Sequence, residues 1–174
     1  MRFGSGSIIM SEFTDFIPYF TGIRKRTARL VPLIPPERIE WRPAPGAMSF
    51  GDLLRHLAGT ERWMWAENVA GRPARFPGHD ESLAAGYDAT CAYFERLHAE
   101  SMAIFETLRP EDYEKPVQTP AGAMLPAWKW LRAMIEHEAH HRGQLYMMLR
   151  MIGVATPPIF GLTAEEVRER SARS

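Results

Sequence analysis

The sequence predicts an all-α protein built as a four-helix bundle, with long loops and a short helix at the C-terminus. Four long segments carry apolar residues at helical spacing, at 11–34, 49–69, 82–108 and 126–152. Stretches rich in proline and glycine separate these segments. No run of four to eight residues alternates convincingly between apolar and polar side chains, so we expect no substantial strand. Four amphipathic helices of this kind bury their apolar faces against one another in a bundle.

The first helix is predicted over Ser11–Ile34, with Asp15 as a candidate N-cap. Its apolar residues recur near helical spacing and form the stripe that faces the core. Basic residues beside such a stripe usually form a solvated face. We therefore expect four basic residues to lie at the surface: Arg24, Lys25, Arg26 and Arg29.

The second helix follows a pattern typical of a capping box, in which Ser49 supplies a hydroxyl and Asp52 a carboxylate three residues later. It continues to about Val69. Its predicted core-facing stripe contains Leu53, His56 with Leu57, Thr60, Trp63 with Met64, and Glu67. A loop rich in breakers follows, and we expect His79 within it to be a surface residue.

The third helix is predicted over 82–108, with His98 at the boundary of its apolar stripe. A loop with four prolines comes next, with a hairpin-like turn at Thr119–Gly122. The fourth helix is predicted over 126–152, because a proline is tolerated in its first turn and a glycine follows its end. Another capping box, Thr163–Glu166, predicts the short C-terminal helix.

Length and composition indicate one globular domain, since the chain has 174 residues of which 45% are hydrophobic and 24% charged. We assign residues 11–174 to that domain and residues 1–10 to a loose N-terminal extension. The 21 basic and 21 acidic residues cancel, which argues against binding to nucleic acid or to an anionic membrane. The single cysteine, Cys91, excludes an intramolecular disulfide framework. We expect a cytoplasmic protein with no membrane partner.

Three of the six histidines fall within five residues of the fourth helix. His137 and His141 are four residues apart, so their imidazoles lie one helical turn apart and can point at one ion. A stable metal site needs a third ligand, and His56 on the core-facing side of the second helix can supply it. His140 is an alternative to His141, although the phase of the apolar stripe favours His141. The competing interpretation is a polar helix end or a dimer contact without metal.

Three neutral histidines would leave open positions on a divalent ion, as in reactive metal sites. Imidazole suits zinc, nickel, iron or copper, and such an ion would lower the pKa of a bound water or thiol. The second ring nitrogen of a metal-bound histidine usually has a hydrogen-bond partner. Gln144, one turn beyond His141, is our candidate for that partner.

The segment His137–His141 also satisfies the H-E-x-x-H pattern of zinc peptidases, in which the glutamate, here Glu138, is the general base. Those enzymes need a further ligand downstream and usually a strand that aligns the substrate. The downstream carboxylates Glu165 and Glu166 follow a Pro-Pro break, and no strand is predicted. We therefore regard the peptidase interpretation as a minor alternative.

Several motifs together resemble the DinB/YfiT family of small metal-binding proteins: Trp41–Pro43, Asp52–Leu57 and His137–Leu145. The resemblance extends from about Asp15 to Ile152. It implies a bundle with up-down-down-up topology and frequent homodimers. It also implies a divalent transition metal such as zinc, nickel, iron or manganese, held at one end of the bundle by His56, His137 and His141.

The same resemblance implies a metalloenzyme that activates a low-molecular-weight thiol for attack on an electrophilic substrate, as S-transferases and isomerases of the family do. Two alternatives stay open: a metal-dependent hydrolase that uses metal-bound hydroxide, and a non-catalytic metal- or stress-responsive binding protein. We assign no catalytic side chain. Arg55, Arg62 and Arg142 are candidates for binding the carboxylates of the thiol, but we expect these arginines to be solvated and leave them out of the site.

Overall fold

A computed structural model describes residues 16–172 and confirms the four-helix bundle. Helix α1 spans Phe16–Ala28, α3 spans Tyr87–Phe105, α4 spans Ala127–Met151 and the short α5 spans Ala164–Ser171. Helix α2 consists of three consecutive segments, Phe50–Gly59, a π-helical stretch Thr60–Ala66, and Glu67–Val69. Short 3₁₀ turns lie at Val31–Leu33, Pro36–Arg38 and Pro110–Glu114.

Three of the predicted helix boundaries were wrong, and one of them is the end of α3, which lies at Phe105 and not at Leu108. Helix α1 ends at Ala28 and not at Ile34, because the chain enters a proline-containing 3₁₀ turn instead. Helix α3 begins at Tyr87 and not near Ser82, because Gly86 adopts a positive φ of 78° and breaks the helical path. The expected N-terminal extension and the candidate cap Asp15 lie outside the described residues.

The loop before α4 contains a small antiparallel hairpin of two three-residue strands, shorter than the runs for which no strand was expected. Strand β1, Pro116–Gln118, pairs with β2, Met124–Pro126. The connection contains the predicted turn at Thr119–Gly122. The N–H group of Thr119 donates to the carbonyl of Ala123 at 2.8 Å, and Gly122 has a φ of 82°.

The buried apolar side chains form two clusters that define the topology. One cluster contains the start of α1 and α4 and the end of α2 and α3, represented by Phe16, Leu131, Val69 and Phe105. The other contains the segment after α1, the start of α2, the middle of α3 and the end of α4, represented by Leu30, Phe50, Phe94 and Leu149. Helices α1 and α4 therefore run one way and α2 and α3 the other, which is the up-down-down-up order. No helix within residues 16–172 combines the length and hydropathy of a membrane span.

A charge cluster, made of Arg24, Glu61, Glu138 and His98, lies between the two apolar clusters. Arg24 is 3% exposed and pairs with Glu61 and, at 3.5 Å, with Glu138. His98 Nδ1 lies 2.9 Å from Glu61 Oε1. The prediction of a solvated Arg24 was wrong, because its two carboxylate partners come from α2 and α4. Burial lowers the pKa of Arg24, and the charge of Glu138 opposes that shift.

The π-helical stretch changes which side chains of α2 face the core. Its hydrogen bonds run from residue i to i+5, as between the Glu67 N–H and the Arg62 carbonyl, so the helix widens by one residue. The predicted stripe placed Trp63 and Met64 inside, but Trp65 is the buried residue and is 4% exposed. The same stretch turns Glu61 towards the charge cluster.

Replacing Arg24 with methionine should destabilise the fold strongly, because it leaves Glu61 and Glu138 buried without a cation. We expect the free energy of unfolding to fall by about 3–5 kcal/mol. The matched control is Arg29→Met at an exposed position of the same segment, which should change it by no more than about 0.5 kcal/mol. Urea unfolding followed by circular dichroism measures both, and equal stability of the two variants would contradict the described role of Arg24.

Candidate metal centre

Helices α2 and α4 bring the three predicted ligands together. His56 Nε2 lies 2.9 Å from His137 Nε2, and His141 Nε2 lies 3.1 Å from the same atom. The candidate ligand atoms of the three residues all lie within 4.8 Å of one another. The antiparallel packing of α2 against α4 and the four-residue spacing on α4 together produce this convergence.

The spacing of the three nitrogens fits one metal ion. Nitrogen ligands at about 2.0–2.1 Å from zinc in tetrahedral geometry are about 3.3 Å apart, so small movements would accommodate an ion. The pKa values of all three imidazoles are also lowered, which favours the neutral form that binds a metal ion. Burial and then the neighbouring imidazoles lower the pKa of His56 to about 4 and that of His137 to about 3. Burial also lowers the pKa of His141, although its hydrogen bond with Gln144 opposes the shift.

Gln144 contacts the ring nitrogen of His141 that faces away from the other histidines. Its Oε1 lies 2.6 Å from His141 Nδ1, so Nδ1–H donates to the amide oxygen. That hydrogen bond leaves the lone pair of Nε2 directed at the cluster. His56 differs, because its Nδ1 is buried and has no hydrogen-bond partner within residues 16–172.

Glu138 does not face the three histidines. Its carboxylate belongs to the charge cluster and lies 3.5 Å from Arg24 Nη1. Adjacent helical residues point about 100° apart, so Glu138 faces α1 while His137 faces α2. The geometry therefore does not support the peptidase interpretation, which needs this carboxylate as the general base. His140 is exposed and is not a member of the three-histidine group.

Aromatic rings flank the three histidines, and sequence reasoning did not find them. Trp65 lies 4.9 Å from the His137 ring between centroids, and Trp130 packs on Trp65 at 5.3 Å. Phe76 and His79 lie 5.6 Å and 5.9 Å from the His56 ring. The prediction of a surface position for His79 was wrong, since the residue is partly buried. Only the alternative phase of α2 could have indicated Trp65, and no periodicity marks the loop residues.

The three arginines considered as thiol-binding candidates are not solvated as expected. Arg55 is completely buried and Arg142 is 8% exposed, because each donates to partners on neighbouring elements. Arg62 forms ion pairs with Glu67 and Glu100. Within the described residues, none of the three guanidinium groups forms a hydrogen bond with the side chain of His56, His137 or His141.

A cavity of about 840 Å³ lies away from the histidines. The end of α2 and the loop after it form one wall, and the β1–β2 hairpin forms another. The charged pair Asp112 and Lys115 belongs to its lining, and none of the three histidines does. The size of this cavity is therefore no argument for placing the metal chemistry there.

Comparisons with known proteins agree with the fold. The sequence signature of the DinB superfamily matches residues 19–145. YjoA, an uncharacterized protein of Bacillus subtilis, is 23% identical over 155 residues, which cover 87% of this chain and 97% of YjoA. The crystal structure of YjoA superposes with a TM-score of 0.70 at 20% identity and covers 86% of this chain and 99% of that chain.

Two more distant structures share the fold. YfiT from Bacillus subtilis is described as a probable metal-dependent hydrolase with an unusual four-helix bundle topology. It matches with a TM-score of 0.64 at 14% identity, covering 89% of this chain and 94% of YfiT. A histidine-to-alanine mutant of a mycothiol-dependent maleylpyruvate isomerase matches with a TM-score of 0.57 at 14% identity, covering 85% of this chain and 62% of the isomerase.

Replacing Gln144 with leucine should weaken metal binding, because the N–H group of His141 loses its acceptor. We expect zinc affinity to fall by about 10–100-fold. Met147→Leu, at an exposed position one turn further along α4, is the matched control and should leave the affinity unchanged. Competition with a chromophoric chelator gives both values. Equal affinities in the two variants would show that Gln144 does not orient the ligand.

Proposed function

The chain belongs to the DinB superfamily, and we propose that it is a metal-dependent enzyme that activates a low-molecular-weight thiol for attack on an electrophilic small molecule. One observation carries the proposal: three neutral imidazoles converge on one point, and within residues 16–172 no carboxylate belongs to the group. Three protein ligands leave coordination positions for a small molecule, whereas structural zinc sites are closed by four. The neutral ligands also leave the positive charge of a divalent ion uncompensated.

A divalent metal at this site, such as zinc, nickel, iron or manganese, supplies a Lewis acid that favours the deprotonated form of a coordinated thiol. The residues of the chain would hold the metal ion and orient its ligands. His56, His137 and His141 provide the nitrogen ligands, and Gln144 fixes the ring of His141. Trp65, which is 4% exposed, packs beside the ring of His137.

The proposed reaction is a group transfer to sulfur. The thiol loses its proton to solvent, and its sulfur forms a new bond to the electrophilic carbon. The leaving group departs with the electron pair of the bond that breaks. With 1-chloro-2,4-dinitrobenzene as the electrophile, the carbon–chlorine bond breaks and chloride leaves, so no oxidant or reductant is needed.

One of the related structures supports the proposal by analogy, and another favours an alternative. The isomerase is mycothiol-dependent, which is consistent with thiol use on this fold. At 14% identity the similarity establishes the fold alone, so the thiol is our inference for this chain. YfiT, described as a probable metal-dependent hydrolase, favours a second candidate function in which water replaces the thiol. Homodimerisation and a cytoplasmic location stay predictions.

The proposal predicts that zinc-loaded protein consumes 1-chloro-2,4-dinitrobenzene only when a thiol is present. Glutathione, cysteine, bacillithiol and mycothiol should be compared by absorbance, with p-nitrophenyl acetate as a substrate that needs no thiol. We expect at least one thiol to support turnover, and His137→Ala to slow it by more than about 100-fold, since metal ions contribute several kcal/mol to such reactions.

The outcomes separate the candidate functions. Thiol-independent ester hydrolysis that follows the zinc content would favour the hydrolase and contradict the thiol proposal. No turnover of either kind, with zinc demonstrably bound, would favour a non-catalytic metal-binding protein. His140→Ala is the matched control, because this exposed histidine lies in the same segment outside the three-histidine group.

A further inference from the structure

We propose that Phe76 and His79 form a subsite for an aromatic group of the ligand held at the three-histidine site, and that Arg55 is the residue that positions this subsite. The proposal deepens the proposed function and rests on it, because it assumes a metal with an open position at the histidines. It assigns a substrate class, namely molecules in which a planar aromatic group lies near the metal-binding atom.

The rings of Phe76 and His79 lie beside the ring of His56, which is a proposed metal ligand, and beside each other. The Phe76 ring meets the His56 ring edge-on, with 5.6 Å between centroids and 72° between planes. The His79 ring lies 5.9 Å from His56 and 6.2 Å from Phe76. The three rings thus form a triangle. Phe76 is therefore in ring contact with one member of the three-histidine group.

The ring of Phe76 is half exposed although it belongs to a well-anchored loop. Its exposed fraction is 53%, which is large for a phenylalanine. A flexible loop would let such a ring fold onto the protein surface. Contacts with α2 hold this loop in place and keep the ring beside His56, where its exposed part is available to a ligand.

Arg55 anchors one side of the loop. Its side chain is completely buried, and its Nε–H group donates to the carbonyl of His79 at 2.7 Å. Its Nη1 donates to the carbonyl of Ala84 at 2.9 Å. Glu40 and Asp52 neutralise the guanidinium at 2.8 Å and 2.9 Å. Because Arg55 directly precedes His56, one turn of α2 supplies both a candidate metal ligand and the anchor of the subsite.

The other side of the loop docks on α2 beyond the metal site. A Cβ atom at Gly59 would lie 2.8 Å from Pro77 Cγ, so the absence of a side chain there allows Pro77 to lie against the helix. The N–H group of Arg75 donates to the carbonyl of Trp63 at 3.1 Å. The Arg75 guanidinium also lies 4.5 Å from the Trp63 ring centroid. Phe76 is therefore held from both directions.

The test compares two probes with the same metal-binding group, benzohydroxamate and acetohydroxamate, on zinc-loaded protein by isothermal titration calorimetry. The ratio of their dissociation constants isolates the contribution of the aromatic ring. We expect benzohydroxamate to bind the wild type more tightly by about 3–10-fold, the range of an added aromatic contact. In Phe76→Ala the ratio should fall to about one, because the aromatic contact is lost, while the zinc affinity stays unchanged.

Phe160→Ala is the matched control, since Phe160 is 79% exposed and its ring packs on Arg26 of α1. It should keep the wild-type ratio. Arg55→Lys tests positioning, because lysine keeps the charge but cannot bridge the two loop carbonyls with a planar fork. We expect this variant to lower the ratio with zinc still bound. An unchanged ratio in Arg55→Lys with zinc bound would contradict the positioning role, and Phe76→Ala decides independently whether the subsite exists.

The results distinguish failure of the subsite from failure of the proposed function. If both hydroxamates bind and the ratio in Phe76→Ala equals that of the wild type, the subsite is wrong and the metal site stands. A wild-type ratio near one has the same meaning. If neither hydroxamate binds protein that contains zinc, no open coordination position exists, and both the proposed function and the subsite are overturned.

Discussion

One buried cation, Arg24 of α1, pairs with Glu61 of α2 and Glu138 of α4. This pairing restricts how α4, which carries two of the three histidines, can rotate about its axis. Glu138 lies between His137 and His141 in sequence. When its carboxylate faces Arg24 on α1, the helical rotation of about 100° per residue turns the two histidines towards α2. Leaving either carboxylate buried without the cation would be strongly unfavourable, so the pairing restricts the rotation of α4. The glutamate of this H-E-x-x-H segment thus has a structural role in the bundle, and the same four-residue spacing serves a different site from that of a peptidase.

The second determinant is the enclosure of the histidines between α2 and its loop. The π-helical stretch turns Trp65 towards His137, and Arg55 holds the loop that carries Phe76 and His79. The burial produced by these elements lowers the pKa values of the imidazoles and keeps them neutral at pH 7. Neutral imidazoles are the form that binds a metal ion, so packing around the site and its chemistry are linked. Helices α2 and α4 position the three candidate metal ligands, and the loop that carries Phe76 encloses His56 on one side.

The sequence predicted those features that depend on the residues of a single helix. Apolar periodicity predicted all four helices, and the helical phase placed His56, His137 and His141 on core-facing positions; the spacing to Gln144 predicted a contact that the structure contains. Interactions between distant segments were not predictable in this way. We expected Arg24 and Arg55 to be solvated. Their carboxylate partners Glu61 and Glu40 belong to other segments, and the sequence does not show which distant charges pair in the core. The widened turn of α2 shifted the phase of Trp65, and the loop residues Phe76 and His79 follow no period.

We propose that residues from two distant helices hold one metal ion. Elemental mass spectrometry of tag-free protein can test this by comparing the wild type with His56→Ala and with His140→Ala, each checked for helicity by circular dichroism. We expect close to one equivalent of a divalent transition metal in the wild type and in His140→Ala, and almost none in His56→Ala with its helicity retained. Metal that persists without His56, or is absent from the wild type after growth in metal-supplemented medium, would contradict the three-histidine site.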